Sequence, residues 1–213
     1  MARITKDPEV RKLELIETAL ELFRENGCEQ TSVSDIVKKV GVAQGTFYYY
    51  FKSKDEILSA VIDHYLREHL ERMVRQLIAD DTKNATQKLQ TVIDASLSLK
   101  NGERNFVEFL HSEENAAFHQ RFLEKSNAIF IPLITEIVKQ GVDEGAFHCG
   151  HPREVVELLM VVFSLIHDRI ALSSAQESYK DLAAAAEEIA VKALGAKEGS
   201  IRLTHKNGPI ARV

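Results

Sequence analysis

Apolar residues recur every three or four positions along most of this chain, the period of an amphipathic helix, and strand-like alternation is nearly absent. Leu13, Ile16, Leu20 and Phe23, widened by Ala19 and Leu22, predict a first helix over Val10–Asn26, stopped at Asn26-Gly27. A short second helix is expected over Val33–Val40, with Ser32 and Asp35 spaced as a capping box. Gly41-Val42 then turns the chain into a third, aromatic helix over Ala43–Tyr50. Ser53-Lys54-Asp55-Glu56 reads as another capping box, opening a long fourth helix that runs through Ile57, Leu58, Val61, Tyr65 and Leu66 towards Ile78. Longer helices are expected over Thr86–Leu99, Glu103–Leu110, Ala116–Gln140, Pro152–Leu172 and Tyr179–Leu194, with Pro132 expected to kink the third of these. From Gly195 to Val213 no period is evident, and the stretch reads as a tail.

The helix from Pro152 is unusual. Between Val155 and Ile166 only Glu157 and Ser164 are not apolar, so it must be covered on several sides. It is too short for a bilayer, which suggests one face on the core and another on a partner subunit. The last helix, with Leu182, Ala185, Ala186, Ile189, Ala193 and Leu194, carries small residues that permit close helix approach. The two together are candidates for a face against a partner subunit.

Charge sharpens the picture at one place. The chain of 213 residues carries a net −5, yet Ile36 to Lys54 contains Lys38, Lys39, Lys52 and Lys54 and no acid, which makes that window +4 and leaves −9 for the rest. A cationic window on an acidic molecule suits a local phosphate contact rather than a surface coated for nucleic acid. No apolar run reaches membrane length, the first residues resemble no signal peptide, and Cys28 and Cys149 make no disulfide framework. These features lead to the expectation of a cytoplasmic protein.

Three short helices with a glycine turn between the second and third describe a helix-turn-helix. The residues are Thr31-Ser32-Val33-Ser34-Asp35-Ile36-Val37, followed by Gly41-Val42-Ala43-Gln44-Gly45-Thr46-Phe47-Tyr48-Tyr49-Tyr50-Phe51-Lys52-Ser53-Lys54. From about Leu13 to Leu58 this resembles the TetR family of regulators, whose motif has the form T-x-x-x-I-A-x-x-x-G-V-S-x-G-T-x-Y-x-x-F-x-S-K. Ala43 departs from it, standing where the family usually has a capping serine. The resemblance implies an all-α fold, with a helix-turn-helix DNA-binding domain over 1–53, a larger helical ligand-sensing and dimerisation domain over 54–194, and the tail over 195–213. It also implies a homodimeric repressor of a palindromic double-stranded DNA operator, released by a small, largely apolar effector.

A third helix in the major groove presents its first side chains to base edges. The resemblance places Gln44, Gly45 and Tyr48 near bases and Thr46, Tyr49, Tyr50 and Lys54 near phosphates. The Gln44 amide suits adenine, and Gly45 lets backbones approach. Ser32 and Ser34 of the second helix are further candidate contacts. Phe47 and Phe51 are expected in the core, as an aromatic stripe at helical spacing usually is, whereas Tyr48 and Tyr49 are expected outside it, because three consecutive tyrosines cannot all face one core. In the larger domain, Phe106, Phe109, Phe118, Phe122, Phe130 and Ile131 lie on helices that enclose the family's pocket, with His111, His119, Asn127 and His167 as candidate polar groups.

His148-Cys149-Gly150-His151 has too few thiolates and no second ligand cluster at zinc spacing, so no metal is expected. No catalytic constellation stands out, and neither an enzyme nor a cofactor is expected. The other regulatory possibility is an activator or co-regulator on the same fold; a helical enzyme with a helix-turn-helix domain would need catalytic residues that the sequence does not display.

Overall fold

The computed structural model describes residues 6–97, 116–172 and 177–203, and every regular element among them is a helix. The reading head comprises α1 (Pro8–Asn26), α2 (Val33–Val40) and α3 (Gln44–Tyr50). Next comes α4 (Lys54–Tyr65), which passes through a π-helical segment (Leu66–Glu71) into α5 (Arg72–Ile78). The rest is α6 (Ala85–Leu97), α7 (Ala116–Asp143), α8 (Pro152–Leu172) and α9 (Glu177–Leu194). The helix expected over Glu103–Leu110 lies outside the described residues.

Local chemistry explains the helix ends. Asp7 caps α1, its carboxylate accepting from the Glu9 N–H at 2.8 Å. At α2 the capping box is complete: Ser32 Oγ accepts from the Asp35 N–H, and Asp35 Oδ2 accepts from the Ser32 N–H at 2.9 Å. Gly41 sits at φ +76° in the left-handed region, where its missing Cβ makes the α2–α3 turn cheap. Ala43 offers α3 no side-chain cap. The expected capping box at Ser53 is only half made: Ser53 Oγ accepts from the Glu56 N–H, but the Glu56 carboxylate reaches one residue further back, to the Lys52 N–H at 2.6 Å. α7 remains helical through Pro132.

Two apolar cores result. The first joins Leu15, Ala19 and Phe23 of α1 to Ile36, Phe47 and Phe51, and to Ile57, Val61 and Leu66 along the α4 rod. The second begins at Val74 and Leu77 and gathers α6, the C-terminal half of α7, α8 and α9. The π-helical segment therefore lies where the rod leaves one core and enters the other. α7 also touches both: Phe122, Ile129 and Phe130 pack on the first core, and Leu133, Ile137 and Val138 are buried in the second.

Polar residues stitch the second core at its edge. Lys88 is fully buried, and its ammonium donates to the Ile78 carbonyl at 2.7 Å and to Gln140 Oε1 at 2.9 Å. Glu144 caps α6 through the Ala85 N–H, a bond that holds its carboxyl below the usual range.

The stretch after Leu194 has no helix in its described part, yet it is not detached. Ile201 and Leu203 are buried in the second core. Gln90 and Arg202 exchange two 2.9 Å hydrogen bonds, side-chain amide to backbone, which fixes the segment against α6. Such a docked strap needs only alternate apolar anchors, so a search for helical period passes over it.

Candidate nucleic-acid interface and effector cavity

The sequence of α3 divides cleanly between the two sides of a short helix. Phe47 is fully buried and Phe51, just after the helix, nearly so, while Tyr48 and Tyr49 are 53% and 77% exposed. Phe47 meets the Tyr48 ring edge-on at 5.4 Å, and Tyr49 stands at 90° to Tyr50 with centroids 4.8 Å apart. Tyr50 is half-buried against the first core, so it braces the helix as well as flanking the surface. Gln44 and Gly45 are exposed at the N-terminal end, and Thr46 is half-buried. A Cβ built on Gly45 meets nothing within 4 Å. Packing inside the chain therefore does not require glycine there.

Two of the other candidates are already engaged. Ser32 is exposed, but its hydroxyl is committed to Asp35 at 2.6 Å within the capping box, bonds that also lower the Asp35 carboxyl. Lys54 is half-buried at the start of α4, where its ammonium donates to the Glu29 carbonyl at 3.3 Å. A neutral carbonyl leaves the positive charge uncompensated and two N–H donors available. Ser34 is exposed on α2.

The cationic window is weaker than its lysine count. Lys39 turns back onto α1, with Glu21 at 3.0 Å and Glu25 at 3.4 Å, and the Glu21 contact raises the Lys39 ammonium above its ordinary range. Its charge is spent on holding α2 against α1. Lys38 and Lys52 remain exposed. Cys28 is buried beside this surface, and burial pushes its thiol up to about 12, which makes it inert.

A second site lies in the larger core, a cavity of about 220 Å³. One face of α7 supplies a whole wall, with His119, Phe122, Ser126, Phe130 and Ile134 at helical spacing. Leu70 and Met73 reach it from the rod, and Ile201 and Leu203 from the docked strap. Of the expected ligand residues, Phe122 and Asn127 line it, as do His119 and Phe130. Ile131 is half-buried in the second core outside this wall. Phe106, Phe109 and His111 lie outside the described residues, as do the side chains of Phe118 and His167. Ser126 is a wall residue that the sequence alone did not single out. The 122–126–130 repeat on α7 was the available signal, because it puts Ser126 between two phenylalanines already assigned to the pocket.

The cavity and the first core share residues. Phe122 and Phe130 line the cavity and also pack on the first core, and Leu70 does the same from the rod. Beside them, Lys125 Nζ lies 2.7 Å from Asp63 Oδ2 and 3.2 Å from Ser59 Oγ, tying α7 to α4.

His148 and Cys149 belong to the connection between α7 and α8. There the His148 N–H donates to the Leu194 carbonyl at 2.8 Å, and His148 Nδ1 lies 3.2 Å from the Gly195 carbonyl oxygen. This motif docks the end of α9. Among the described residues no three His, Cys, Asp or Glu side chains gather as a metal site would require, and no helix is long and apolar enough to cross a membrane.

Both halves of the chain match known proteins. Residues 15–61 match the bacterial regulatory proteins of the tetR family, and residues 98–189 match the tetracyclin repressor-like C-terminal domain. The chain is 27% identical over 187 residues to the fatty acid metabolism regulator protein of Bacillus subtilis (strain 168), a match covering 86% of this chain and 94% of that one. It is 29% identical over 152 residues to the HTH-type transcriptional repressor KstR2 of Mycobacterium tuberculosis (strain CDC 1551 / Oshkosh), covering 69% and 74% of the two chains. The crystal structure of a TetR transcription regulator from Haloarcula marismortui ATCC 43049 has the same fold, with a TM-score of 0.63 at 20% identity over 86% of this chain and 98% of that one. A reading head with an exposed α3 face, an all-helical sensor body behind it and matches to both halves of one family lead to a single assignment: the chain belongs to the TetR family of ligand-controlled, DNA-binding transcriptional regulators.

Proposed function

We propose that this protein is a homodimeric repressor that holds a palindromic operator and releases it when a small, largely apolar effector fills the cavity behind α7. The observation that carries the DNA half is the division of α3. Phe47 anchors the helix, so Gln44, Gly45, Tyr48 and Tyr49 face outward on a rigid element, as base readout requires. Gln44, Gly45 and Tyr48 meet bases; Ser34, Thr46, Tyr49 and Lys54 meet phosphates and the groove edge.

The dimer reading rests on an apolar face that the single chain leaves uncovered. Leu158, Val161 and Leu165 of α8 are 68%, 64% and 47% exposed, at spacings that form one stripe. Ile189 of α9 is 50% exposed, with Ala185 and Ala193 exposed one turn before and after it. α8 and α9 are packed against each other, so both stripes belong to one helix pair. Large apolar side chains at such exposure mark an association surface. A two-fold copy of it produces a four-helix interface and sets two reading heads on one duplex.

Release follows from shared walls. A ligand that pushes on Phe122, Phe130 or Leu70 pushes on side chains that also pack on the first core, which the α4 rod shares with the reading head. Only a ligand with different affinity for two arrangements of the rod shifts them, and couplings of ~1–3 kcal/mol are typical. The name of the Bacillus subtilis relative, a fatty acid metabolism regulator, agrees with an aliphatic effector. The test is a gel shift with DNA flanking the protein's own gene. Salt-sensitive, sequence-specific retardation supports the proposal, and equal binding to unrelated duplexes contradicts it.

A further inference from the structure

We propose that the effector is uncharged and that the Ser126 hydroxyl anchors it, donating to or accepting from a single neutral oxygen (a carbonyl or a hydroxyl) on an otherwise hydrocarbon body. This rests on the cavity being the effector site, and it specifies what that site selects.

Three observations converge. The first is the wall. Among its described residues there is no Asp, Glu, Lys or Arg, and only His119 could bear a charge. A carboxylate taken into such a wall loses its hydration without a fixed counter-charge, which is prohibitive unless the group is neutralised. The second is Ser126 itself. It is 93% buried, at 7% exposure, it contributes to the wall, and its Oγ has no hydrogen-bond partner among the described residues. Other helical hydroxyls in this chain satisfy themselves locally: Thr135 donates to the Ile131 carbonyl at 2.7 Å and Ser96 to the Val92 carbonyl at 2.7 Å. Ser126 does not use that local option, although it too sits inside a helix. A buried hydroxyl left without a partner is costly, so a ligand that satisfies it is selected over an isosteric hydrocarbon.

The third is size. At about 220 Å³ the cavity exceeds the roughly 150 Å³ at which an apolar cavity already takes up benzene, so it has room for a somewhat larger hydrocarbon. The fit is therefore to a medium-length or compact hydrocarbon carrying its oxygen near the middle of α7. Phe122 and Phe130 flank Ser126 one turn away on either side and clasp the apolar remainder. A free acid of the same length matches the shape and fails on charge.

The test uses the full-length chain with Nile red in the cavity and three displacing probes at pH 7.5: 2-octanone, octane and octanoate. The affinities of the two neutral probes differ with their solubility in water, so for 2-octanone and octane the readout is the ratio of wild type to Ser126→Ala. The expected result is a 2- to 10-fold weakening of 2-octanone, the worth of one net hydrogen bond, with octane unchanged. Octanoate is expected to displace the dye far less well than 2-octanone in both proteins. Equal effects of Ser126→Ala on 2-octanone and octane, or octanoate competing as well as the ketone, overturn the assignment while leaving the cavity as an apolar effector site. If neither Nile red nor octane binds at all, the effector-site reading fails and this inference fails with it.

Discussion

Lys125 of α7 donates to Asp63 of α4 at 2.7 Å, an ion pair between the helix that supplies one wall of the cavity and the rod that carries the reading head. The two side chains are 30% and 48% exposed, so the pair adds only about 0.2–1 kcal/mol to stability. It joins α7 to α4 on the stretch of α7 where Phe122 and Ile129 press on the first core. Lys125→Met is therefore expected to leave the melting temperature within a few degrees of wild type. It should also reduce, by about 2- to 5-fold, the factor by which a cavity ligand such as 2-octanone weakens operator binding. Operator titrations with and without ligand measure this, and an unchanged factor removes the pair from the coupling.

Gly45 separates folding from recognition. Its φ is not positive and its Cβ position is open, so Gly45→Ala is expected to hold or raise stability, by up to about 1 kcal/mol. The added methyl occupies the space a DNA backbone or base edge must enter, and operator binding should fall at least about 10-fold. A thermal melt and a binding isotherm on the same sample check both halves. Undiminished binding would mean that α3 does not enter the groove by its N-terminal end.

Lys54 presents an ammonium that donates to a neutral carbonyl, that of Glu29 at 3.3 Å, and so keeps its full charge for a phosphate. Lys54→Ala should weaken binding to all duplexes and lower the slope of log affinity against log salt by about one unit, the signature of one phosphate left unneutralised. Lys39→Ala should leave that slope nearly unchanged, because Glu21 and Glu25 already hold its charge. Equal slopes for Lys54→Ala and wild type would assign Lys54 to tying down the α1–α2 connection alone.

The proposed dimer face is distinct from the cavity although both use α8. Leu158→Asp or Ile189→Asp is expected to give a folded monomer, since each side chain is at least half exposed in the single chain. Phe163 is different: it lines the cavity and packs on the second core, so Phe163→Asp should unfold the sensor rather than split a dimer. Analytical ultracentrifugation together with circular dichroism distinguishes these results. Wild-type protein sedimenting as a monomer at micromolar concentration would contradict the interface.

Much of this architecture was legible because local chemistry and global packing agree. The Ser32–Asp35 box, Gly41 and the 47/51 aromatic spacing each specify a local geometry, and together they position the outward face of α3. Charge was less legible, since Lys39 is close to the interface in sequence while Glu21 and Glu25 reach it only through the packing of α1 on α2. The π-helical segment at Leu66–Glu71 left no clear mark because its residues continue an ordinary helical pattern. Ile201 and Leu203 escaped because two apolar anchors in a nine-residue strap, 195–203, have no period to detect. Ser126 was obscured by chemistry: a serine in a long helix reads as surface until the phenylalanines on either side are placed in one wall.

The central claim is sequence-specific binding by two symmetry-related α3 helices, and selection of bound duplexes from a random library tests it most directly. Wild-type protein is expected to enrich a palindrome whose half-site centres lie one helical turn or a multiple of it apart, ~34–36 Å per turn. Gln44→Ala, selected in parallel, should relax one symmetric pair of positions, at a cost of ~1–3 kcal/mol for each bidentate amide–base pair removed. Failure to enrich any motif, or enrichment of a single asymmetric site that Gln44→Ala selects equally well, would contradict the account.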